Sequence, residues 1–306
     1  MIVFRGLNDP HLKSRPRSIA IGIFDGVHRG HQSILKSMQS FAKRFKASSM
    51  VVTFDPHPSK VLFPGKNPPP ILMSLDHRLR LLERMGIRES LIIPFNRKFS
   101  KLSREAFLNK ILLKKLGMKS LSVGHDFRFG YKALGDSAYL EQSAAKKIFY
   151  FSQVAALKMG TDVISSTRIR SLIEKGELVK ASKMLGRPVS VYGTVIRGRG
   201  RGRSLGFPTA NLNPHHEALP PPGVYAAYGY LGATKLKAVI HIGERPTFKD
   251  REKSLEAHFL HFHKNIYGRD VELIFVKRLR SITPFKNPAA LIEAIHKDIR
   301  QAREIL

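Results

Sequence analysis

A short apolar, β-prone run, Ile19-Ala20-Ile21-Gly22-Ile23-Phe24, breaks at Asp25-Gly26. Within a few residues the apolar positions Ile34, Leu35, Met38, Phe41 and Ala42 follow helical spacing. A chain that switches period this abruptly must form a strand, a tight turn and a helix N-terminus. Free backbone N–H groups and the positive end of the helix dipole then face whatever lies beyond the strand, which suits phosphate. His28 and His31 fall at i and i+3, on one face of the first helical turn, and lean over the same spot. Gly26 and Gly30 let backbone and ligand approach closely. The plain alternative is a strand–turn–helix carrying two exposed histidines.

The same alternation continues. Met50–Phe54 reads as a buried strand ending at Asp55-Pro56-His57-Pro58, where two prolines stop a helix or a central strand. Leu62 to Pro70 reads as a loop. Ser74 is placed to cap a helix carrying Leu75, Leu79, Leu82 and Met85, stopped by Gly86. Leu91–Ile93 is a strand, Ser103 caps a helix with Phe107, Ile111 and Leu112 inward, and Leu121–Gly124 is another strand. This rhythm predicts a doubly wound parallel sheet, with ligands at the carboxyl ends of its strands. Two helical segments, about Thr167–Lys175 and Glu177–Leu185, lead to Gly186-Arg187-Pro188, and there the texture changes. Val189–Ile196, Val224–Leu231, Leu236–Ile242, Leu255–Phe262 and Val271–Val276 are β-prone runs separated by Gly, Pro or Asn. They predict a compact β-barrel or sandwich, followed by a helix with Leu291, Ile295, Ile299 and Ala302 on one stripe. The expected division is an α/β domain over 1–186 and a barrel domain over 187–306.

Composition removes several classes. There is no cysteine, hence no disulfide framework, thiolate metal site or thiol nucleophile. No apolar run approaches the length of a membrane span, and Met1-Ile2-Val3-Phe4-Arg5-Gly6 lacks a signal peptide's apolar core. A soluble cytoplasmic protein with no membrane partner is the expectation. The net charge of +30, from 53 Lys+Arg against 23 Asp+Glu, fits nucleic-acid binding, attraction of anionic substrates or a general basic surface. The basic residues are spread along the chain, densest at Arg197–Arg203. No reader motif such as an aromatic RNP strand accompanies them, so sequence-specific nucleic-acid binding is not expected.

Four further stretches carry chemistry. In Ile164-Ser165-Ser166-Thr167-Arg168-Ile169-Arg170, hydroxyls at a helix start are ordinarily caps, and arginines one turn in also grip polyphosphate. Val123–Gly130 reads as a strand end and turn with aromatic anchors Phe127 and Phe129 and a polar Asp126. Gly202-Arg203-Ser204-Leu205-Gly206-Phe207-Pro208-Thr209-Ala210-Asn211 is a basic glycine-rich loop whose N–H groups can cradle phosphate, with Thr209 and Asn211 offering neutral oxygens of the kind Mg²⁺ accepts. Glu256, in Ser254–Phe259, reads as an exposed strand residue balancing nearby lysines. His258, His261 and His263 are read as solvated or edge residues.

The string GIFDGVHRGH resembles the signature of HIGH-type nucleotidyltransferases, and in its FDGVHxGH form that of the adenylyltransferase module of bacterial bifunctional riboflavin kinase/FAD synthetases. FDPHP, the stretch around Asp126 and ISSTRIR resemble further motifs of that module. GRSLGFPTAN, PPGVYA, IGERPTF and IYG resemble those of riboflavin kinases. The resemblance spans nearly the whole chain. It implies phosphorylation of riboflavin to FMN with Mg-ATP, then adenylylation of FMN to FAD with release of pyrophosphate. ATP, riboflavin and FMN are then the partners, and the flavins are substrate and product. His28, His31 and Arg170 are implied to act on phosphates, and Glu256 to be the kinase base. Gly22, Phe24, Asp25, Gly26, Gly30, His57, Asp126, Ser166 and Thr167 are implied to bind nucleotide or flavin in the first half. Gly202, Arg203, Gly206 and Pro208 do so in the second, with Thr209 and Asn211 at the metal. The chain departs from the pattern at His125, at Ala133, at His241, which replaces an asparagine, and at Leu279–Phe285, which lacks an acidic residue. Two other readings stay open: one live activity, the kinase, or a basic nucleic-acid-binding protein on a nucleotidyltransferase scaffold.

Overall fold

Arg17–Ile21 (β2) is buried at every position, so neither of its faces meets water. That is the burial expected of a central strand in a parallel sheet covered on both sides. The structure is a computed structural model. It describes all residues except 65–69, 147–148, 199–201, 203–204, 216 and 247–250, and no side chains at 244–246 and 251–253. Two compact units result: Met1–Pro69 with Leu75–Ser165, and Pro70–Ser74 with Ser166–Leu306.

The first unit is built on a six-stranded sheet in the order β1-β4-β3-β2-β5-β6. Its other strands are β1 (Ile2–Arg5), β3 (Ser48–Asp55), β4 (Glu89–Pro94), β5 (Met118–Gly124) and β6 (Tyr150–Val154). Every pairing is parallel. Alternate residues Ile19, Ile21, Met50, Val52, Leu121 and Val123 join Phe107, Leu108, Ile111 and Leu112 in one core. Helix α1 (Arg29–Arg44) packs on β2, β3, β5 and β6 and buries Ile34, Leu35, Met38 and Ala42, which are absent from that core and therefore cover the opposite face. The chain steps from β2 to β3 on one side and returns later to β5 on the other. The end of β2 is thus the topological switch point, where open sheets of this kind leave a crevice.

Local details differ from the sequence reading. Pro58 starts a short helix, α2 (Pro58–Leu62), instead of preventing one, because a first helical position has no N–H bond to lose. Helix α3 (Leu75–Arg84) forms as expected, and α4 (Arg97–Ser100) is a single turn. The helix capped by Ser103 begins as α5 (Arg104–Ala106) and continues in π geometry over Phe107–Lys115. It stops at Gly117, where φ is +67° and a Cβ would stand 2.4 Å from the Arg15 carbonyl oxygen. The sequence reading lacked β1, α6 (Ser137–Ala145), β6 and the small hairpin β7 (Lys158–Met159) with β8 (Asp162–Val163).

The second unit holds α7 (Ser166–Glu174), α8 (Leu178–Leu185) and a closed antiparallel barrel, β10-β13-β12-β11-β14-β9. The strands are β9 (Ser190–Ile196), β10 (Ala210–Asn213), β11 (Gly223–Leu231), β12 (Thr234–Pro246), β13 (Arg251–Phe259) and β14 (Asp270–Arg280). Short β10 was not anticipated as a strand. It pairs with both β13 and β9 and so removes the sheet's edges. Tyr225, Ile240, Leu255, Ala257, Leu273 and Phe275 are buried in the barrel. Helix α9 (Pro288–Ile305) is capped by Asn287, packs on β11, β12 and β14, and buries Asp298, Ile299 and Ala302. The unit also takes in Pro70–Ser74. The buried Glu217 carboxylate accepts the N–H of Ser74 at 2.7 Å and that of Tyr192 at 3.0 Å. By contacts the units divide between Ser165 and Ser166, ahead of Gly186.

Candidate functional site

Between β2 and α1 the chain turns through three left-handed residues, Phe24 (φ 54°), Gly26 (φ 85°) and Val27 (φ 39°). For Phe and Val this conformation costs about 1–3 kcal/mol each, so the surroundings must impose it. Phe24 is fully buried, with its ring edge-on to His31 at 5.3 Å. The Val27 N–H donates to the Phe24 carbonyl at 3.0 Å, and Gln32 Nε2 donates to the Val27 carbonyl at 2.9 Å. The Ile23 carbonyl accepts from Thr53 Oγ1 at 3.3 Å and from Arg78 Nη1. Gly22 sits close under the Phe24 ring, which a Cβ would meet at 3.3 Å.

This turn presents the histidine pair. His28 is the residue before α1, not within it, and its Nδ1 accepts the His31 backbone N–H at 3.3 Å. A neutral His28 therefore carries its proton on Nε2. The two rings stack, centroids 3.6 Å apart and planes 17° from parallel. Gly30 packs closely beneath them: a Cβ would lie 3.2 Å from the His28 ring and 3.8 Å from the Ile164 carbonyl oxygen. Asp25, in the turn, is buried. Arg78 is the residue that sequence reasoning missed. Its guanidinium is buried, which lowers its pKa, while the charges of Asp25 and Asp55 act to raise it. A signal was present: Arg78 lies four residues before Leu82 and three after Leu75, on the apolar stripe of α3, where a cation has no business without carboxylate partners.

The other strand ends of this unit carry weaker features. His57 accepts the Ser59 N–H at 3.2 Å and caps α2. Asp126 is exposed after β5, with its carboxylate 3.9 Å from His125 Nδ1. Phe127 and Phe129 stack at 5.5 Å, and Phe129 packs on Phe107 and Tyr139, as core anchors do. Ser166 and Thr167 are the first two residues of α7. They and Arg170 belong to the second unit, His28 and His31 to the first.

In the barrel the residues meet across strands. Asn211 on β10 is opposite Glu256 on β13, which is opposite His241 on β12. Their sequence neighbours Leu212, Leu255 and Ile242 are buried in the barrel, so this row lies on its outer face. Thr209 Oγ1 donates to Glu256 Oε2 at 3.4 Å. The space beside Asn211 is reserved by Gly198, whose Cβ would fall 2.0 Å from Asn211 Nδ2. Gly202 packs against the same loop: the Phe207 N–H donates to its carbonyl at 2.8 Å, and its Cβ would meet the Phe207 oxygen at 2.5 Å. Gly206 is left-handed at φ 86°. The Pro208 carbonyl is 2.8 Å from His258 Nδ1, and Phe207 stands edge-on to His258 and to His296 of α9. Arg203 lies outside the described residues. Among the described residues no three metal-ligating side chains converge. An oxygen-rich row beside a carboxylate suits an ion that takes most of its ligands from phosphate and water.

Comparison with known proteins covers both units. The family model for FAD synthetase matches residues 11–168, and that for riboflavin kinase matches 185–306. The bifunctional riboflavin kinase/FMN adenylyltransferase of Haemophilus influenzae is 33% identical over 99% of this chain and 98% of its own. That of Escherichia coli K12 is 34% identical over 99% and 97%. A solved Streptococcus pneumoniae structure, described as a macrolide-efflux protein, superposes with a TM-score of 0.85 at 28% identity, covering 99% of each chain. Among the described residues no helix is long and apolar enough to cross a membrane. Two family models in the order of the two units, and relatives matched end to end, place the chain in the bifunctional riboflavin kinase/FMN adenylyltransferase family.

Proposed function

We propose that the barrel unit transfers the γ-phosphoryl group of ATP to riboflavin, and that the switch-point site of the α/β unit transfers AMP from ATP to the resulting FMN. The observation that carries this reading is the pairing of two chemically distinct sites with two family models: stacked imidazoles at a helix N-terminus, and a carboxylate with amide and hydroxyl neighbours on a barrel face. In the first reaction Glu256 accepts the proton of the flavin hydroxyl while its oxygen attacks the γ-phosphorus and ADP leaves. Thr209 and Asn211 would hold Mg²⁺, which when bound neutralises charge on the transferring phosphates. Gly202, Arg203, Gly206 and Pro208 bind the phosphates.

In the second reaction an FMN phosphate oxygen attacks the α-phosphorus directly, and pyrophosphate leaves. His28, His31, Ser166, Thr167 and Arg170 position phosphates and stabilise the charge that develops. Gly22, Phe24, Asp25, Gly26 and Gly30 build the turn, and His57 and Asp126 contact nucleotide or flavin. The functional boundary falls near Gly186, and the protein acts in the cytoplasm. The test is purified protein with riboflavin, ATP and Mg²⁺, products resolved by chromatography. FMN followed by FAD is expected; FMN alone leaves one live activity and overturns the adenylyl-transfer assignment.

A further inference from the structure

His241 is a half-buried imidazole with no part in the chemistry above. It stands directly opposite Glu256 on the neighbouring strand, on the same outer face of the barrel. Side chains so paired have Cβ atoms about 4.5–5.5 Å apart. The ring lies over Gly243: a Cβ there would sit 2.9 Å from the His241 Cε1 and 3.0 Å from Ser254 Oγ. Val224 is opposite His241 on β11 and opposite Arg280 on β14, so the row runs Asn211, Glu256, His241, Val224, Arg280. Arg280 in turn makes a two-pronged pair with the buried Asp298 of α9, Nη2 to Oδ2 at 2.9 Å and Nε to Oδ1 at 3.0 Å. Among the described residues the charged groups that act on His241 are Glu256 from β13, Arg280 from β14 and Asp298 from α9.

We propose that His241 is a positioning residue for Glu256, leaving its carboxylate available to take the flavin hydroxyl proton while neutral and binding it as an ion pair once protonated. Burial holds the imidazole below its ordinary pKa; the Glu256 charge opposes this, Arg280 adds to it, and Asp298 opposes it. The neutral form therefore prevails at neutral pH. On acidification the imidazolium and the reacting hydroxyl compete for one carboxylate, and phosphoryl transfer loses its proton acceptor. The proposal rests on Glu256 being the kinase base.

The experiment is the pH profile of riboflavin phosphorylation by the full chain from pH 5 to 8, for the unaltered protein, His241→Asn and Glu256→Gln. Each profile is scaled to its own plateau. Asparagine is polar and does not titrate, so the acid limb of His241→Asn should move down by about half a pH unit or more. Superimposable limbs overturn the role of His241. A Glu256→Gln protein that phosphorylates riboflavin normally overturns the base assignment itself, whatever His241 does. A second measurement needs no active-site turnover and no His241 variant. The His241 ring is titrated by NMR in the unaltered protein and in Glu256→Gln. Removing the carboxylate charge should lower the midpoint further, and an unmoved midpoint overturns the proposal.

Discussion

In the α/β unit the candidate side chains stand at a turn and the helix start it leads into; in the barrel they stand on strands. The turn holds His28 and His31 by backbone conformation, with Phe24, Gly26 and Val27 left-handed and the Ile23 carbonyl tied to Thr53 and Arg78. All of its pieces but those two lie within one short stretch of sequence. The barrel holds Asn211, Glu256 and His241 by register, and each comes from a different strand. Strand pairing fixes spacing along a row to a few ångströms without any strained residue. The turn concentrates backbone N–H groups and a helix dipole on an anion, which suits a reaction governed by phosphate charge. The row places one carboxylate beside neutral oxygens, which suits removal of a proton.

The sharpest way to break this comparison is to remove one ring from the turn. His31→Ala should lower FAD formation about 10²–10³-fold, roughly 3 kcal/mol for one good donor to developing charge. FMN should accumulate meanwhile, and FAD synthesis at the unaltered rate would take His31 out of the reaction. The matching change in the barrel, Glu256→Gln, keeps size and loses the proposed base. FMN production should drop about 10²-fold, with adenylylation of supplied FMN persisting. Chromatographic product ratios read both.

The asymmetry also explains what was legible beforehand. Both fold classes and their order followed from period: helical stripes between apolar runs, then β runs alone. The turn site was legible because its residues are neighbours in sequence. Arg78 was not, because it acts from α3 on a carbonyl far earlier in the chain, and only its place on an apolar stripe betrayed it. In the barrel Thr209, Asn211 and Glu256 were singled out through resemblance, whereas the pairing of Glu256 with His241 is a fact of register. No local pattern states which residue of β13 faces which residue of β12. Strand β10 was missed for a related reason. It is four residues long, follows a glycine-rich loop, and exists because β9 and β13 offer it hydrogen bonds on both sides. Strand β6 and helix α6 lacked a clear apolar period, and tertiary packing formed them.

Single methyl groups sharpen the contrast at smaller magnitude. A Cβ on Gly198 would overlap the Asn211 amide at 2.0 Å, so the amide must swing away from its row. Gly198→Ala should cut the kinase rate about tenfold, short of the roughly 10²-fold that misplacement by a full ångström can cost. A Cβ on Gly30 meets the His28 ring at 3.2 Å, which a shift of a few tenths of an ångström relieves. Gly30→Ala should slow adenylyl transfer only about threefold. Initial rates of the two half-reactions check both, and a larger loss in Gly30→Ala than in Gly198→Ala would reverse the ranking of turn and strand.

The smallest expected effect concerns acid, and it separates the two units by the sign and place of their titrations. In the α/β unit Glu89 is fully buried. Burial raises its pKa, but hydrogen bonds from Arg17 and Arg15 and the Arg17 charge outweigh that and leave it below its ordinary 4.5. A carboxylate depressed on folding contributes stability that is present above its unfolded value and lost as pH falls through the folded one. Glu89 therefore supports its unit down to about pH 4.5 and weakens it only below. His241 is lowered from 6.5, and its neutral form is the buried one. The unfolded chain takes up that proton first, so its contribution is full above about pH 6.5 and is lost as pH falls through the lowered value. Between pH 6.5 and 5 the barrel should thus soften while the parallel sheet holds. Amide exchange followed at Ile240 and Ala257 in the barrel, and at Val51 and Ile92 in the sheet, reads the two units separately in one sample. Protection should fall first at Ile240 and Ala257, and His241→Asn should delay that fall. If the sheet amides lose protection first, the Arg17–Glu89 pair is not what holds that unit against acid, and buried charge does not divide the molecule in this way.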